Sequence, residues 1–398
     1  MPPDMPSLLD SPVEELSRRE FMKLATVAAG VSFACSMVGC ASSRALVAWE
    51  GSEPAASDPR LNAVALALLA PSPHNKQPWL VTFAGQDTLE LSVDTKRTLA
   101  LTDPLYRQIY IAQGAFLELL LIGVRNLGFH PELELLPKGE PSPTSLTSPA
   151  ARIRLKERGA EPDEFAPYVR RRSSNKRPYN RDEVPTADVL SRFAAAQRGP
   201  EVDCQVTTDP TTVAAISGLA HRAVAIDMSD PGRYAEMVEM FRFNGEERER
   251  LRDGFGLGQS GIGGFKRWMA EAFFISREGA RGVSSQFAKD GIDLARKQVD
   301  ATPAWGWIST RGNSRAHQML AGRAYTRGSL LAAGLHLAQH PMSQALQEVT
   351  GMSALREELR GRLRVPNEHT IQMLFRLGYA DDVEHSPRRA ARELIRGY

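Results

Sequence analysis

The pattern of apolar and polar positions predicts two long core helices, one in each half of the chain. Residues 105–127 and 318–338 are apolar over several turns, and both stretches contain glycine. A glycine in mid-helix costs about 1 kcal/mol relative to alanine, so its presence indicates close packing of a second helix or a flat ligand. The glycines are Gly114 in the first stretch and Gly322, Gly328 and Gly334 in the second.

Shorter segments around each long helix predict strands and further helices. Residues 79–83 and 89–93 are apolar segments on either side of a Gly-Gln-Asp turn, which is typical of a hairpin. Other expected strands are 132–136, 152–155, 202–207, 305–309 and 372–377, and other expected helices are 61–69, 186–195, 210–228, 355–363 and 388–395. The predicted fold class is α+β with two related halves, 59–162 and 163–398, although the identity between them is too low to establish a repeat.

The N-terminal segment resembles an export signal. Arg18 and Arg19 precede a hydrophobic and a basic residue, an apolar run follows to residue 39, and Cys40 comes next. This is the pattern of a twin-arginine signal peptide that ends in a lipoprotein cysteine. We expect a signal peptide at 1–39, lipidation of Cys40 and a tether at 40–58. The alternative is a cysteine that falls in an apolar segment by chance, with cleavage elsewhere.

The predicted export route suggests a cofactor. The twin-arginine route carries proteins that have already folded, and a folded chain has most reason to be exported when its cofactor must be loaded in the cytoplasm. The expected location is the periplasmic side of a membrane, with the lipid on Cys40 as the membrane contact.

Composition argues against two classes of function. The formal net charge is +2, and it becomes +4 without residues 1–39. There is no basic block, so nucleic acid is not an expected partner. Of the three cysteines, Cys35 would be removed and Cys40 lipidated, which leaves Cys204 alone. With few histidines and no HExxH motif, no metal site is predicted.

The loop at 70–79 contains several hydrogen-bonding side chains and three prolines. Its three prolines hold the backbone out of a helix. Ser72, Asn75 and Gln77 there suit a heteroaromatic ring edged with carbonyls and nitrogens. The alternative is a turn whose polar groups bond to their own backbone. The segment 256–261 matches the pattern G-x-G-x-x-G. It is not interpreted as a dinucleotide site, because a charged run precedes it and the required acidic residue is missing.

A basic cluster at 171–177 suits a phosphate monoester. Guanidinium, ammonium and hydroxyl groups stand together there, and a similar but weaker arginine pair lies near the C-terminus. The alternatives are a solvated basic loop or a contact with anionic lipid, and for the C-terminal pair a surface position. The candidate residues are Arg172, Ser173, Ser174 and Lys176, with Arg388 and Arg389.

These motifs carry a resemblance to a known family. Ala-Pro-Ser-x-x-Asn-x-Gln-Pro-Trp at 70–79 resembles a signature of the FMN-dependent nitroreductase superfamily. Arg172-x-Ser-x-Lys176 is similar to that family's phosphate-binding motif, and 376–379 followed by 387–389 resembles its closing strand and C-terminal arginine. Because the phosphate motif lies in mid-chain, the arrangement is similar to the fused, double-length Acg-type branch, in which one chain mimics a dimer.

The resemblance implies one FMN, bound between the halves of a monomeric pseudo-dimer. The second half would supply the phosphate site, and Ser72, Asn75 and Gln77 would lie against the ring and ribityl chain. Residues 235–300 would form a lid, with Phe255, Phe265 and Trp268 as its apolar underside. No catalytic acid is assigned, and His74 is expected to brace the turn.

The function implied is an exported FMN oxidoreductase acting on small-molecule electron donors and acceptors. NAD(P)H is not normally available outside the cytoplasm, so the reductant is left open. One alternative is a protein that sequesters or carries FMN without turnover. Another is a lipid-anchored structural protein without a cofactor.

Overall fold

A computed structural model describes residues 43–51 and 57–396. The predicted signal peptide and Cys40 lie outside the described residues. The first half begins with two helices, α1 and α2, and a hairpin, β1 and β2. A long helix, α3, and two strands, β3 and β4, complete it. The bounds are α1 Val47–Glu50, α2 Pro59–Ala67, β1 Trp79–Ala84, β2 Thr88–Val93, α3 Arg107–Asn126, β3 Phe129–Leu135 and β4 Ala151–Arg158.

The second half repeats this plan around a second long helix, α10. A helix and a strand, α4 and β5, precede a set of helices, α5 to α9, before the remaining strands. The bounds are α4 Ala187–Ala195, β5 Val202–Thr207, α5 Pro210–Ser229, α6 Pro231–Met240, α7 Gly245–Leu251, α8 Gly264–Met269, α9 Gln286–Asp300, β6 Ala304–Arg311, α10 Arg315–Gly334, β7 Ala338–Pro341, α11 Ser353–Arg362 and β8 His369–Gly378.

Both sheets have the same strand order. The first is β1-β2-β4-β3 and the second is β5-β6-β8-β7, with every neighbouring pair antiparallel. In each half the long helix connects the second strand to the third. This shared order confirms the predicted α+β class and the two related halves.

The main difference between the halves is an insertion between β5 and β6. A two-strand hairpin occupies the corresponding place in the first half, whereas 208–303 connect the strands in the second half and contain five helices. The insertion has its own apolar cluster, which includes Tyr234, Phe241 and Phe243. Not all of the insertion is a lid, because α5 packs in the core of the second half, where Ile216 and Leu219 join Trp305. The lid at about 235–300 stays a prediction.

The two long helices pack against each other where glycine removes the side chain. A Cβ added to Gly114 on α3 would lie 1.9 Å from the Met319 carbonyl oxygen, and one added to Gly322 on α10 would lie 1.9 Å from the Ile111 oxygen. Between the helices, buried Glu118 accepts hydrogen bonds from Arg323 and Arg327 at 2.7 and 2.9 Å. The predicted close packing of these glycines is confirmed.

Helix α3 is long and apolar enough to cross a membrane, by length and composition alone. However, 94% of its most apolar window is buried inside the protein. It is the core helix of the first half, and its apolar residues pack on the sheet, for example Phe116 against Trp79 with ring centroids 4.9 Å apart.

The C-terminal segment crosses to the first sheet. Ile395 forms a parallel bridge with Val81 of β1, and the amide of Arg396 donates to the Val81 carbonyl at 2.8 Å. The helix predicted at 388–395 is wrong, since only Ala391–Leu394 form a short 3-10 turn. Pairing with the edge of β1 holds the chain extended on either side of that turn.

Candidate functional site

The 70–79 loop is a tight turn whose conformation is held from outside. His74, Asn75 and Gln77 all have positive φ, at 49°, 53° and 54°. Such non-glycine conformations cost free energy and persist where surrounding contacts enforce them. Here the side-chain amide of Asn75 donates to the backbone carbonyls of Gly254 and Pro387, both at 2.9 Å.

Gln77 and Ser72 complete this bracing. The Gln77 side chain donates to the Arg252 carbonyl at 2.9 Å and accepts from the Arg389 amide at 3.0 Å. The Ser72 hydroxyl accepts from the Gln77 amide at 3.0 Å. The structure thus brings the loop, the insertion and the C-terminal segment together. These three side chains hold that junction, and their contact with a flavin stays a prediction.

Two buried arginines converge at the carbonyl end of α2. Arg172 and Arg388 each donate to the Leu69 carbonyl at 3.1 Å, and their side chains are almost fully buried. Arg388 also donates to the Asn75 side chain at 2.8 Å. Among the described residues neither guanidinium has a carboxylate partner. Arg172 comes from the second half and Arg388 from the C-terminal segment, so the pair lies where the halves meet.

The pair lacks a negative charge that would balance it. Burial lowers the pKa of Arg172 to about 10, and burial together with Arg172 lowers the pKa of Arg388 well below its usual value. Nε and one terminal nitrogen of Arg172, and Nε of Arg388, are buried without a hydrogen-bond acceptor. Uncompensated buried charge costs several kcal/mol. A phosphate with two negative charges and several acceptor oxygens fits these donors.

Arg389 has a different role from its neighbour. Its guanidinium donates to the carbonyls of Gln77 and Trp79 at 2.9 and 3.0 Å, and it lies 3.6 Å from the Asp94 carboxylate. Of the two arginines left open by the sequence, Arg388 is therefore the one that joins Arg172, while Arg389 braces the 70–79 loop.

The other residues of the basic motif line the same region. Ser174 hydrogen-bonds the buried Tyr325 hydroxyl on α10, and Ser173 beside it is half-buried. The Lys176 ammonium lies 3.8 Å from the centroid of the Phe255 ring. Loss of solvation by the surrounding protein disfavours the charged form and lowers the pKa of Lys176 to about 8.

His74 faces the same aromatic ring. Its ring centroid is 5.6 Å from that of Phe255. Burial, with the charges of Lys176 and Lys76, lowers the pKa of His74 to about 4. The imidazole is thus neutral at neutral pH, which agrees with a bracing role. Phe255 lies beside the site as predicted, but Phe265 and Trp268 do not, because they stack on each other at the surface, where the Phe265 side chain is 57% exposed.

Strand β7 adds polar groups that sequence analysis missed. The Gln339 carbonyl accepts from the Asn175 amide at 3.0 Å, which places β7 beside the basic motif. The Gln339 side-chain oxygen and nitrogen are both buried without a partner. Next to it, His340 accepts from Arg376 at 2.9 Å, and burial holds the pKa of His340 well below its usual range. A strand of four residues directly after a long helix gives no periodic signal.

The segment before α2 is packed instead of forming a free tether. Trp49 on α1 stacks on His385 at 4.1 Å and donates from its indole to the Ser386 carbonyl at 2.8 Å. The Arg388 guanidinium lies 4.7 Å from the centroid of the Trp49 ring. The predicted tether at 40–58 is therefore wrong for 45–51, which covers the arginine pair.

Comparisons with known proteins agree with the resemblance. No family model matches this chain. The chain is similar to "Probable NAD(P)H nitroreductase PigM" of Serratia sp. (strain ATCC 39006), at 24% identity over 75% of this chain and 84% of that protein. It is also similar to "Putative NAD(P)H nitroreductase Rv3131" of Mycobacterium tuberculosis (strain ATCC 25618 / H37Rv), at 24% identity over 83% of this chain and 89% of that protein. These similarities support the nitroreductase superfamily.

Solved structures similar to this chain include two nitroreductases. The NfnB of sphigopyxis sp. strain HMH is 15% identical, with a TM-score of 0.38, and covers 59% of this chain and 99% of its own. The NfnB of Mycobacterium smegmatis in complex with NADPH is 18% identical, with a TM-score of 0.37, and covers 59% of this chain and 100% of its own.

Proposed function

We propose that this protein is an FMN-dependent oxidoreductase of the nitroreductase type, in the double-length Acg-type branch. The observation that carries the proposal is the pair of buried arginines, Arg172 and Arg388, which meet where the two halves join and lack an acidic partner. A phosphate monoester offsets that charge and accepts from the free nitrogens. Similarity to curated nitroreductases over most of both chains supports the choice of a flavin phosphate.

Each group of residues has a defined task in this proposal. Arg172 and Arg388 hold the phosphate, with Ser173 and Ser174 as additional hydroxyl donors. Lys176 and the unpartnered amide of Gln339 would offer further polar groups to the flavin beside the motif. Asn75, Gln77 and Arg389 keep the 70–79 loop in place. Bound FMN would supply the exchange of electrons or hydride with small molecules, and the protein supplies orientation and electrostatics.

The test is a redox titration of the purified protein. We expect FMN absorbance after purification, reduction by NADPH or dithionite without oxygen, and reoxidation by a nitroaromatic or a quinone. Protein that contains no flavin after refolding with excess FMN would contradict the cofactor. Bound flavin that is reduced but not reoxidised by any acceptor would contradict turnover.

A second candidate function is FMN sequestration without turnover. The observation that favours it is the backbone pairing of the insertion over the site. The Lys176 amide donates to the Gln259 carbonyl at 3.0 Å, and the Gly254 amide donates to the Asn75 carbonyl at 3.3 Å. A segment paired in this way keeps external molecules from the ring. The reoxidation step of the same titration separates the two functions.

Export and lipidation form a further part of the proposal. The twin arginines and Cys40 support a chain that folds with its flavin in the cytoplasm and is then held on the periplasmic side of a membrane. Replacing Arg18 and Arg19 by lysine keeps the charge and removes the signal. We expect precursor to accumulate in the cytoplasm with FMN bound, and normal export of that variant would contradict the route.

A further inference from the structure

Four aromatic side chains form an exposed patch on the insertion. Helix α8 continues without a break into a π-helical turn at Ala270–Phe274. Phe265, Phe273 and Phe274 are 57%, 64% and 54% exposed. Trp268 joins them, with its ring centroid 5.5 Å from that of Phe265 and 5.8 Å from that of Phe273. We call these four residues the aromatic patch.

The patch reverses the usual orientation of a surface helix. Glu271, on the same helical run, is turned toward the protein, where it accepts from Arg267 at 2.7 Å and from Arg248 at 2.6 Å. Its carboxylate is mostly buried, while the phenylalanine rings face outward. A helix in water normally buries its apolar side and exposes its charges. A contiguous exposed aromatic surface therefore indicates a contact with something other than water.

Ala45, near the first residue that the structure describes, contacts the insertion that carries the aromatic patch. The Ala45 amide donates to the Glu249 carboxylate of α7 at 3.3 Å. The preceding residue of α7, Arg248, is joined to Glu271 beneath the patch. Cys40 precedes Ala45 by five residues, and five extended residues span at most about 18 Å. By this limit on chain length, a lipid on Cys40 would be attached no more than about 18 Å from Ala45.

We propose that the aromatic patch inserts into the interfacial layer of a phospholipid bilayer. Phenylalanine and tryptophan partition into that layer, and a helix with an apolar outer face can lie flat in it. The exposed Lys266 adjoins the patch and suits the headgroup phosphates. The lipid proposed on Cys40 would hold the chain at the membrane but would not set which face of the protein meets it, so the orientation needs a second contact. The patch supplies that contact and fixes which face of the protein meets the membrane.

Tryptophan fluorescence tests this orientation directly. The other four tryptophans, Trp49, Trp79, Trp305 and Trp307, are buried. Quenching by lipids brominated on the acyl chains therefore reports Trp268. The full-length, flavin-loaded protein is reconstituted into vesicles of equal parts phosphatidylcholine and phosphatidylglycerol. We expect strong quenching by brominated lipid, weak quenching by aqueous iodide, and loss of the lipid effect in Trp268→Phe.

A matched pair of variants checks the role of the phenylalanines. Half of the six large exposed hydrophobic side chains among the described residues belong to the patch, and the other three are Leu101, Leu105 and Val184. Phe265→Ser with Phe273→Ser and Phe274→Ser should expose Trp268 to iodide, whereas serine at Leu101, Leu105 and Val184 should leave its quenching unchanged.

Two results on the unmutated protein would overturn the proposal. In the first, Trp268 on the vesicle-bound protein is quenched by iodide and not by brominated lipid, so that the patch faces water. In the second, Trp268 is shielded from both quenchers and the shielding grows with protein concentration in micelles. A second copy of the chain would then cover the patch.

Discussion

At the residue scale, replacing Arg172 beside Arg388 should change FMN affinity and the free energy of unfolding in opposite directions. Two buried cations without an acidic partner repel each other in the free protein. Arg172→Met removes one charge and keeps most of the buried volume. We expect FMN affinity to fall by about 1.5–3 kcal/mol, the value of a hydrogen bond to a charged group. The free energy of unfolding of the flavin-free protein should rise, because the repulsion is gone. Affinity is measured by fluorescence titration and stability by denaturant unfolding.

The opposite signs of these two effects distinguish a phosphate site from a structural arginine. A structural Arg172 would lower stability when replaced and leave FMN affinity unchanged, contrary to our prediction. Arg154→Met on β4 is the control. Its side chain is 49% exposed and lies 3.9 Å from Glu132. Surface pairs of this kind contribute little, so both quantities should stay close to those of the unmutated protein.

Lys176 gives FMN binding a dependence on pH. Its pKa is lowered to about 8, so the ammonium is charged below pH 8 and becomes neutral above it. FMN affinity should therefore weaken as pH rises from 7 to 9. His74 titrates at about 4 and Arg172 at about 10, so neither changes charge in this window. The slope of the dissociation constant across the window should be smaller in Lys176→Met, and any slope that remains is expected from Arg388, whose pKa is also lowered. The same slope in that variant would assign the titration to another group.

The candidate site was predictable from sequence where residue types themselves carry the chemistry. The motif at 172–176 was predicted as a phosphate site because clustered guanidinium and hydroxyl groups suit one kind of anion, and phosphate binding there stays a prediction. The partners of Asn75 and Gln77 were not predictable, since an amide bonds equally well to a ligand or to backbone. Gln339 was missed because only burial distinguishes it from an ordinary glutamine, and burial of a four-residue strand leaves no pattern.

At the element scale, Gly114 allows the two long helices to approach each other. A methyl group there would meet the backbone of Met319, which cannot rotate away. Gly114→Ala should lower the free energy of unfolding by about 1–3 kcal/mol or more. Gly218→Ala on α5 is the matched control, because nothing lies within 4 Å of its added Cβ. That change should raise stability by about 1 kcal/mol. Equal effects in denaturant unfolding would mean that the helices do not touch at Gly114.

Asp253 adds an ion pair to the hydrogen bonds that hold the insertion over the 70–79 loop. Its carboxylate lies 2.8 Å from Arg97 of the first half and 2.5 Å from Arg242 of the insertion. Asp253→Asn should loosen the 252–259 segment, so that a nitroaromatic reoxidises the reduced flavin several-fold faster while FMN stays bound. Asp290→Asn on α9 is the control, because its carboxylate accepts a solvent-exposed hydrogen bond from Gln286 of its own helix. An unchanged rate in stopped-flow measurements would show that this segment does not gate access.

Most strands and helices were predictable because their apolar periodicity is strong. The residues within 230–300 were not, because short helices and Gly-rich turns interrupt the apolar pattern there. The C-terminal segment was mistaken for a helix because its apolar spacing suits one. Its extended shape depends on the free edge of β1, a partner more than 300 residues away that no local pattern reveals.

At the scale of the whole molecule, the two halves have the same strand order but unequal binding equipment. The second half precedes α4 with the basic 172–176 motif, whereas 45–51 occupies the corresponding place before α2 and has no basic residue. Only the second half continues past its last strand into a segment that crosses to the opposite sheet and supplies Arg388. Both parts of the phosphate site are therefore missing from the symmetry-related position. One chain should bind one FMN, and the contact between α3 and α10 already joins the two halves within one chain. We expect a flavin-to-chain ratio near one and a monomeric mass in detergent by light scattering coupled to absorbance. A ratio near two would place a second phosphate site in the first half. A ratio near one-half, together with a dimeric mass, would mean that two chains share one flavin and that the fused halves do not reproduce the dimer.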